Sequence, residues 1–173
     1  TEHSMKPPTP QNEHCRIIVD DRERCSGIHR LLEQRQGFRV VLDRPLAGDY
    51  VVPGAVVIER KTVVDFARSV ISGRLFQQAT RILACDEPRK LLILEGSTSP
   101  LTTLPISRAA FHGAMVSMVL VFGLPVLHTS NTEDTAALIR IVTSQIRKTR
   151  SRPIRRPSLR LSGRAAHQAA LLQ

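Results

Sequence analysis

Short apolar runs alternate with helical patterns from about residue 15 to residue 149 of the 173-residue chain. Runs of three to seven residues rich in Val, Ile and Leu predict β-strands, at residues 16–20, 38–42, 50–52, 55–61, 90–95 and 125–128. Apolar positions spaced three and four apart predict helices between them, at residues 26–36, 62–85, 107–122 and 132–148. Strands that alternate with helices indicate an α/β fold with a mainly parallel sheet.

Two glycines modify this regular alternation. Pro53-Gly54 joins the third and fourth predicted strands, and such a dipeptide between apolar runs predicts a tight turn. These two strands should therefore form one antiparallel hairpin within the sheet. Gly73 is expected to interrupt the helix that starts at Thr62. The predicted architecture is a central mixed sheet flanked by helices.

The ends of the chain differ in composition from this core. Residues 1–14 form a polar, Pro-rich leader that is expected to be disordered, and residues 15–149 form the predicted domain. Residues 150–173 are expected to be a basic Pro/Arg linker followed by the start of a helix, for which the sequence RAAHQAALLQ at the end is typical.

Composition excludes several classes of protein. No apolar run reaches the ~18 residues of a membrane span, and the N-terminal residues lack the apolar core of a signal peptide. The three cysteines (Cys15, Cys25, Cys85) are odd in number and form no CxxC, so neither a disulfide framework nor a zinc site is predicted. We therefore expect an intracellular protein without membrane contact.

Positive charge is concentrated toward one end of the chain. The formal net charge is +10; the nine cations after Asp134, the last acid, contribute +9, which leaves +1 for residues 1–134. A basic tail on a near-neutral domain fits phosphate contact outside the domain, but a solvated tail that binds nothing gives the same pattern. With no Trp, one Tyr and five Phe, a base-stacking platform is not expected.

Candidate chemistry centres on Asp49 and on the sequence Glu59-Arg60-Lys61, which starts ten residues later. Side chains two apart on a strand share a face, so Glu59 and Lys61 point one way and Arg60 the other. The predicted turn would bring Asp49 to the face of Glu59. Two carboxylates suit Mg²⁺, which lowers the pKa of its bound water, and Lys61 would orient that water. A surface hairpin with a simple Glu–Lys pair is the alternative.

Several motifs resemble those of the XPF/Hef-type structure-specific DNA endonuclease family. The family motif G-D-x(n)-E-R-K-x(3)-D is matched by Gly48-Asp49, Glu59-Arg60-Lys61 and Asp65. The sequence VDDRE at residues 19–23 resembles the family's V-D-x-R-E, and SGRLFQQ at residues 72–78 resembles part of its S-x-x-x-G-R-L-x-x-Q. The resemblance covers residues 15–149 and implies a restriction-endonuclease-like core.

This resemblance also implies a set of site residues. Asp49 and Glu59 would be ligands of Mg²⁺ or Mn²⁺, with Asp20 as a supporting acid and third ligand. The implied catalytic set adds to these acids Lys61, Arg60, Arg22 and Asp65.

Three members of this set have an alternative role. Asp65 follows Thr62 by three residues in the form of a capping box, and it would serve equally well as a helix cap. Arg60 faces away from Lys61 and fits an ion pair. Arg22 fits either a phosphate contact or an ion pair with a neighbouring acid.

Contacts with branched DNA are expected at two places. Arg74, which follows the flexible Gly73, is a candidate for a phosphate contact. In the basic tail the candidates are Arg150, Arg152, Arg155 and Arg156. The family usually carries a helix-hairpin-helix domain after the nuclease, and the linker would lead to such a domain beyond this sequence.

Association is a further expectation. Nuclease domains of the family pair, which implies a homodimer or a heterodimer with a related subunit. The helix predicted at residues 107–122 is more apolar than a surface helix requires, so a self-complementary patch would include it and the helix from Thr132. A fully buried core helix explains the same composition.

Three functions fit these observations. The first is a metal-dependent structure-specific endonuclease that hydrolyses DNA near duplex/single-strand junctions, as in a flap or fork, in DNA repair or recombination. The second is a non-catalytic DNA-binding subunit of such a nuclease, and the third is a different nuclease of the same broad superfamily. The protein would act in the cytoplasm or nucleoid of a prokaryote, or in the nucleus of a eukaryote.

Overall fold

A computed structural model describes residues 14–151 of the chain. Its strands are β1 (Cys15–Asp20), β2 (Phe38–Asp43), β3 (Tyr50–Val52), β4 (Val56–Thr62), β5 (Lys90–Glu95) and β6 (Val126–Thr129). The six predicted strands are therefore confirmed to within one residue at each end. The leader predicted over residues 1–14, apart from its last residue, lies outside the described residues. Residues 150 and 151 of the linker predicted over 150–173 belong to a helix instead, and the rest of that segment is also outside the described residues.

The helices that alternate with these strands are α1 (Ile28–Glu33), α2 (Val63–Ile71), α3 (Leu75–Leu83), α4 (Arg108–Val116) and α5 (Thr132–Ser151). The predicted break at Gly73 is confirmed: this residue has a φ of 69° and separates α2 from α3. Within residues 14–151, no helix is long and apolar enough to cross a bilayer.

The strands form one mixed sheet in the order β2-β1-β3-β4-β5-β6. The pairs β1/β2, β4/β5 and β5/β6 are parallel, whereas β3 runs antiparallel to both β1 and β4. The predicted hairpin is therefore confirmed, and it sits in the middle of the sheet between two parallel blocks.

Helices cover both faces of the sheet, because its strands carry apolar side chains on both sides. On one face, α1 and α5 pack on Ile17, Tyr50 and Ile58. On the other, α2, α3 and α4 pack around Val57 and Leu92. The predicted α/β class, a central mixed sheet flanked by helices, is confirmed, and each face of β4 meets a different core.

The connection between β1 and α1 differs from the prediction. Asp21–Ser26 form a 3-10 helix, and α1 begins only at Ile28, whereas the apolar pattern predicts a helix from residue 26. The carboxylate of Asp20 caps this turn by accepting a hydrogen bond of 2.9 Å from the backbone N–H of Arg22. Gly27, with a φ of 74°, ends the turn and starts α1. Asp20, which the sequence predicts as a site residue, thus also stabilises the backbone of the turn that follows β1.

Two later helices also differ from their predicted lengths. The helix expected at residues 107–122 is regular only to Val116, and Ser117–Val121 then form a π-helical turn. α5 continues to Ser151, three residues beyond the predicted end.

Candidate active site

Three acidic residues lie side by side across adjacent strands. The register of β3 against both neighbours sets Asp49 between Asp20 of β1 and Glu59 of β4. The backbone N–H of Asp49 donates to the carbonyl of Ile58 (2.9 Å), and its carbonyl accepts from the N–H of Asp20 (2.8 Å). Because side chains alternate along a strand, all three acids belong to the face covered by α2, α3 and α4. We call them the acidic row.

Gly48 allows the chain to approach β4 closely just before Asp49. Its φ is 78°, in the left-handed region that favours glycine. A Cβ added here would lie 2.3 Å from Cγ1 of Val57 and 3.3 Å from the carbonyl oxygen of Ile58. The position of Asp49 therefore depends on the absence of a side chain at residue 48.

Gly48→Ala is expected to destabilise the protein more than Gly73→Ala. Both glycines have positive φ, but nothing lies within 4 Å of a Cβ at Gly73, so that variant carries backbone strain alone, about 1–3 kcal/mol. Chemical denaturation of the two variants measures the additional cost of the contact with Val57. Equal losses of stability would contradict the role of close packing at Gly48.

Asp20 is fully buried, and Arg22 engages its carboxylate from the solvent side. The Nε of Arg22 donates to the two oxygens at 2.9 and 3.1 Å. These bonds lower the pKa of Asp20, although burial acts in the opposite direction. The acid predicted as a third metal ligand is therefore ionised but already paired with a cation.

Asp49 and Glu59 have no comparable partner. Asp49 accepts a hydrogen bond from the backbone N–H of Arg60 (2.7 Å), and Nζ of Lys61 lies 3.9 Å from Oε1 of Glu59. Burial and the neighbouring charge of Glu59 raise the pKa of Asp49 well above its usual range. Burial also raises the pKa of Glu59, which the charge of Lys61 only partly offsets.

Two buried carboxylates that repel one another fit a hard divalent cation, which would favour the charged form of both. Mg²⁺ is commonly held by one or two carboxylates together with water and phosphate oxygens. In the part of the chain that the structure describes, no cluster of three or more His, Cys, Asp and Glu side chains is arranged to hold a metal. The acids of the row that have no hydrogen-bonded cation, Asp49 and Glu59, are the residues that would hold one.

The acidic row opens into a pocket of about 300 Å³. Its lining residues are Arg22, Leu46, Ala47, Gly48, Asp49, Glu59, Gln78, Arg81 and Ile82. Arg22 and Arg81 thus bring positive charge to a pocket that also contains acids, and the Oε1 atom of Gln78 is buried there without a protein partner. This mixture of acids and arginines would suit a cation held by Asp49 and Glu59 together with an anionic ligand beside it.

Arg60 lies on the opposite face of β4, as its sequence position predicts. Its Nε donates to Oε2 of Glu95 (2.9 Å), its Nη2 donates to Oε1 of the same residue (2.5 Å), and its Nη1 donates to Oε2 of Glu23 (3.2 Å). All three side chains are at least four-fifths buried. The ion-pair alternative for Arg60 is therefore what the structure contains.

Hydroxyl groups complete this buried network. Thr135 of α5 donates to Oε2 of Glu95 at 2.6 Å, and the Tyr50 hydroxyl donates to Oε2 of Glu23 at 3.0 Å. Burial raises the pKa of Glu95, but the hydrogen bonds from Arg60 and Thr135 outweigh this effect and lower it overall. The network joins β4, β5, α5 and the turn after β1, directly behind the acidic row.

Asp65 lies at the start of α2, where it forms a reciprocal cap with Thr62. The Asp65 N–H donates to Oγ1 of Thr62 (3.0 Å), whose hydroxyl donates to the Asp65 carboxylate (2.8 Å). The side chain is about half exposed and is absent from the pocket lining. The capping alternative is thus the contact present in the structure.

The predicted DNA contacts lie outside the pocket. Arg74 precedes α3, and its Nε donates to Oγ of Ser72 at 3.1 Å. Arg150 is in the last turn of α5. The other predicted contacts in the tail, Arg152, Arg155 and Arg156, lie outside the described residues.

Sequence reasoning missed the contribution of α3 to the pocket. Gln78 and Arg81 are three residues apart and line the pocket from the same side of this helix as Ile82. Their spacing predicts that they share one side of α3. Which part of the molecule that side meets is known only once the position of α3 against the sheet is known. Glu95, the main partner of Arg60, was likewise assigned only to a strand.

Comparison with protein families matches residues 19–142 to the ERCC4 domain. The 3'-flap repair endonuclease Xpf of Saccharolobus solfataricus is 29% identical over 130 residues, which are 75% of this chain and 55% of that protein. A Methanocaldococcus jannaschii protein named as an ATP-dependent RNA helicase is 38% identical over 124 residues, 72% of this chain and 15% of that protein. The chain therefore spans little more than half of one relative and a small part of the other.

A solved structure has the same fold. XPF from Aeropyrum pernix superposes with a TM-score of 0.70 at 32% identity, over 91% of this chain and 74% of that chain. The same protein in a complex with DNA gives a TM-score of 0.67 at 30% identity, over 82% of this chain and 68% of that chain. The structural match agrees with the family match.

Proposed function

Because the chain belongs to the ERCC4 domain family, we propose that it is the nuclease domain of a metal-dependent, structure-specific DNA endonuclease. It would hydrolyse a phosphodiester of branched DNA near a duplex/single-strand junction, as in a flap or fork. A 3'-flap repair endonuclease among its relatives and a DNA complex among its structural neighbours support this proposal. DNA repair or recombination would be the biological setting, in the cytoplasm or nucleoid of a prokaryote or the nucleus of a eukaryote.

The observation that carries the proposal is the pair Asp49 and Glu59 in an open pocket with Lys61 beside it. Neither carboxylate has a hydrogen-bonded cation as Asp20 has in Arg22, and both are largely buried. Largely burying two neighbouring carboxylates that share a single cation, Lys61, costs free energy that packing alone does not require. Such an arrangement is expected where a substrate or a metal completes the charge balance.

Each residue has a defined role in this proposal. Bound Mg²⁺ or Mn²⁺ would lower the pKa of a water molecule and offset charge on the phosphate. Asp49 and Glu59 would hold that ion, and Asp20, fixed by Arg22, adds negative potential behind them. The Lys61 ammonium would orient the attacking water and stabilise the negative charge that develops on the phosphate. Arg22 and Arg81 would contact the nonreacting phosphate oxygens.

A non-catalytic DNA-binding subunit is the alternative. Such a subunit needs no paired acids, whereas this chain has both carboxylates and the lysine of the motif. The assay that distinguishes the two uses labelled flap, fork and linear duplex DNA with Mg²⁺ or Mn²⁺. Cleavage of the branched substrates in preference to linear duplex supports the nuclease, and binding without any cleavage by metal-loaded protein would favour the subunit.

We also propose that the domain associates through an apolar surface near α4. Phe111 and Ala114 face the core, but Val116, Leu120 and Val121 are 55%, 76% and 77% exposed. The surplus of apolar residues predicted for this helix is thus at the surface rather than in the core. These exposed side chains form an apolar surface that a second copy could cover as a self-complementary patch.

Leu120→Glu is expected to weaken self-association at least about 100-fold, because it sets a charge at the centre of the patch. Sedimentation velocity at tens of micromolar measures the change. Leu46→Glu is the matched control, since Leu46 is also exposed but lies at the rim of the pocket rather than on α4 or the turn that follows it. A wild-type protein that sediments only as a monomer would contradict the proposal.

A further inference from the structure

A second groove lies at the opposite end of β1 from the acidic row. It runs between the segment that joins α1 to β2 and the C-terminal half of α5, and it has a volume of about 850 Å³. The pocket of the acidic row, at about 300 Å³, is much smaller. No role in the proposed cleavage has been assigned to this groove, which we call the basic groove.

All charged residues that line the basic groove are positive. They are Arg140, Arg147 and Lys148 of α5, and neither Asp nor Glu contributes to the lining. Within residues 14–151, Arg140 and Lys148 form no ion pair. A concave surface that is lined by cations and by no Asp or Glu attracts a polyanion.

Neutral donors accompany these cations. Ser144 lies one helical turn after Arg140 and one turn before Lys148, so the three side chains share one side of α5. Gln36 faces them from the other wall of the groove. Arginine, lysine, serine and glutamine are the side chains that commonly contact nucleic-acid phosphates.

Neutralisation of the helix C-terminus does not account for this arrangement. Cations in the last turn of a helix are favoured by the helix dipole, and this effect fades beyond that turn. Lys148 fits such a role, but Arg140 lies 11 residues before Ser151, the end of α5. The helix dipole of α5 also does not explain why these cations line a concave surface.

The location of the groove limits what it can bind. The six residues of β1 separate it from the acidic row by roughly 20 Å, at about 3.3 Å per residue. A group in the groove therefore cannot be the phosphate that is cut. It can be a phosphate on the same strand about six nucleotides away, or one on another arm of a branched molecule.

We propose that the basic groove binds a second segment of nucleic-acid backbone and thereby holds one arm of a branched DNA while another arm reaches the acidic row. The cations that follow α5 in the sequence, from Arg152 onward, extend the same charge. That the bound DNA is branched rests on the proposed function. Binding of a nucleic-acid backbone in the groove does not depend on whether the protein cleaves it.

The test compares Arg140→Gln/Lys148→Gln with Arg89→Gln/Arg108→Gln in the full chain. Both pairs remove two positive charges, but Arg89 and Arg108 are exposed residues outside the basic groove. Binding to labelled flap DNA is measured without divalent metal over a range of salt. Two lost phosphate contacts should reduce the slope of log K against log salt by about 1.8 and weaken binding at least about tenfold near 0.1 M salt.

The control pair should change the slope far less. Equal slopes for the two pairs would overturn the proposal, because the groove would then contribute only general charge. This assay does not measure cleavage. A protein that cuts no DNA but still shows the difference in slope would therefore contradict the proposed nuclease function and support DNA binding in the groove.

A photocrosslinking amino acid at Ser144 identifies the occupant directly. Ser144 is exposed and lines the groove. A crosslink to DNA several nucleotides from the junction is expected. A crosslink to residues 1–13 of the same chain, or to a second copy of the protein, in the presence of saturating DNA would overturn the proposal.

Discussion

Asp49→Asn and Glu59→Gln should each reduce cleavage of branched DNA to background while DNA binding is retained. Each variant removes a carboxylate that would hold the metal, and each keeps the size of the side chain. Glu59→Gln also removes a negative charge that repels phosphate, whereas the raised pKa of Asp49 leaves less charge to remove without metal, so binding in EDTA should be unchanged or slightly stronger. Single-turnover cleavage of a labelled flap, together with binding in EDTA, measures both effects.

Lys61→Ala should act differently. It removes a positive charge close to the scissile phosphate, so binding weakens modestly, but the main loss is one preorganised electrostatic stabiliser. Such a loss typically costs about 10²–10³-fold in rate. A rate within a few-fold of wild type would show that the lysine does not act on the reacting phosphate.

Asp65→Asn is the control within the same motif. Asn still accepts the hydrogen bond that caps α2, and Asp65 is outside the pocket, so cleavage should fall far less than with Asp49→Asn. A loss as large as that of Asp49→Asn would move Asp65 into the metal site.

Arg60→Met should destabilise the fold by about 3–5 kcal/mol, because it leaves the carboxylates of Glu95 and Glu23 buried without their cation. Arg68→Met is the matched control. Its ion pair with Asp65 is solvent-exposed, and pairs of that kind contribute about 0–1 kcal/mol. Denaturant unfolding of the two variants measures the difference, and similar losses for both would contradict a buried network.

A second measurement separates structure from catalysis. If Arg60 stabilises the fold, Arg60→Met should retain cleavage under conditions where the variant is folded, since the backbone N–H that binds Asp49 is unchanged. Adding Glu95→Gln to this variant should restore part of the stability, because it removes an uncompensated charge. Loss of cleavage by fully folded Arg60→Met would instead support a role in the reaction.

The same network makes the free energy of unfolding depend on pH. The folded-state pKa of Glu95 is lower than that of an unfolded glutamate, about 4.3. Its contribution to stability is therefore complete above pH ~4.3 and is lost as the pH falls through the lower folded value. Arg60→Met should lose this dependence, which thermal unfolding at a series of pH values would reveal.

The strands and the candidate acids were predictable because both depend on local patterns. Alternation puts Glu59 and Lys61 on one face and Arg60 on the other, and the turn at Pro53-Gly54 pairs their strand with the one after Asp49. The structure has this geometry. It follows from the period of a strand and needs no knowledge of the rest of the fold.

Features that depend on distant contacts were not predictable in the same way. Whether Val116 and Leu120 are core or surface residues depends on which side of α4 meets the sheet, and composition does not specify this. The partner of Arg60 is 35 residues away in β5. The role of Asp20 as the cap of a 3-10 turn was not predicted, because the apolar pattern indicates a helix only from residue 26.

The central position of β3 also determines when the site can exist during synthesis. Glu59 follows Asp20 by 39 residues, and β4 is flanked on its far side by β5, which begins another 31 residues on. A nascent chain that ends at Val52 contains Asp20 and Asp49 but lacks Glu59 and the strand that carries it. Under the proposed function, the acidic row can therefore be complete only after β4 and the strand beside it have been synthesised.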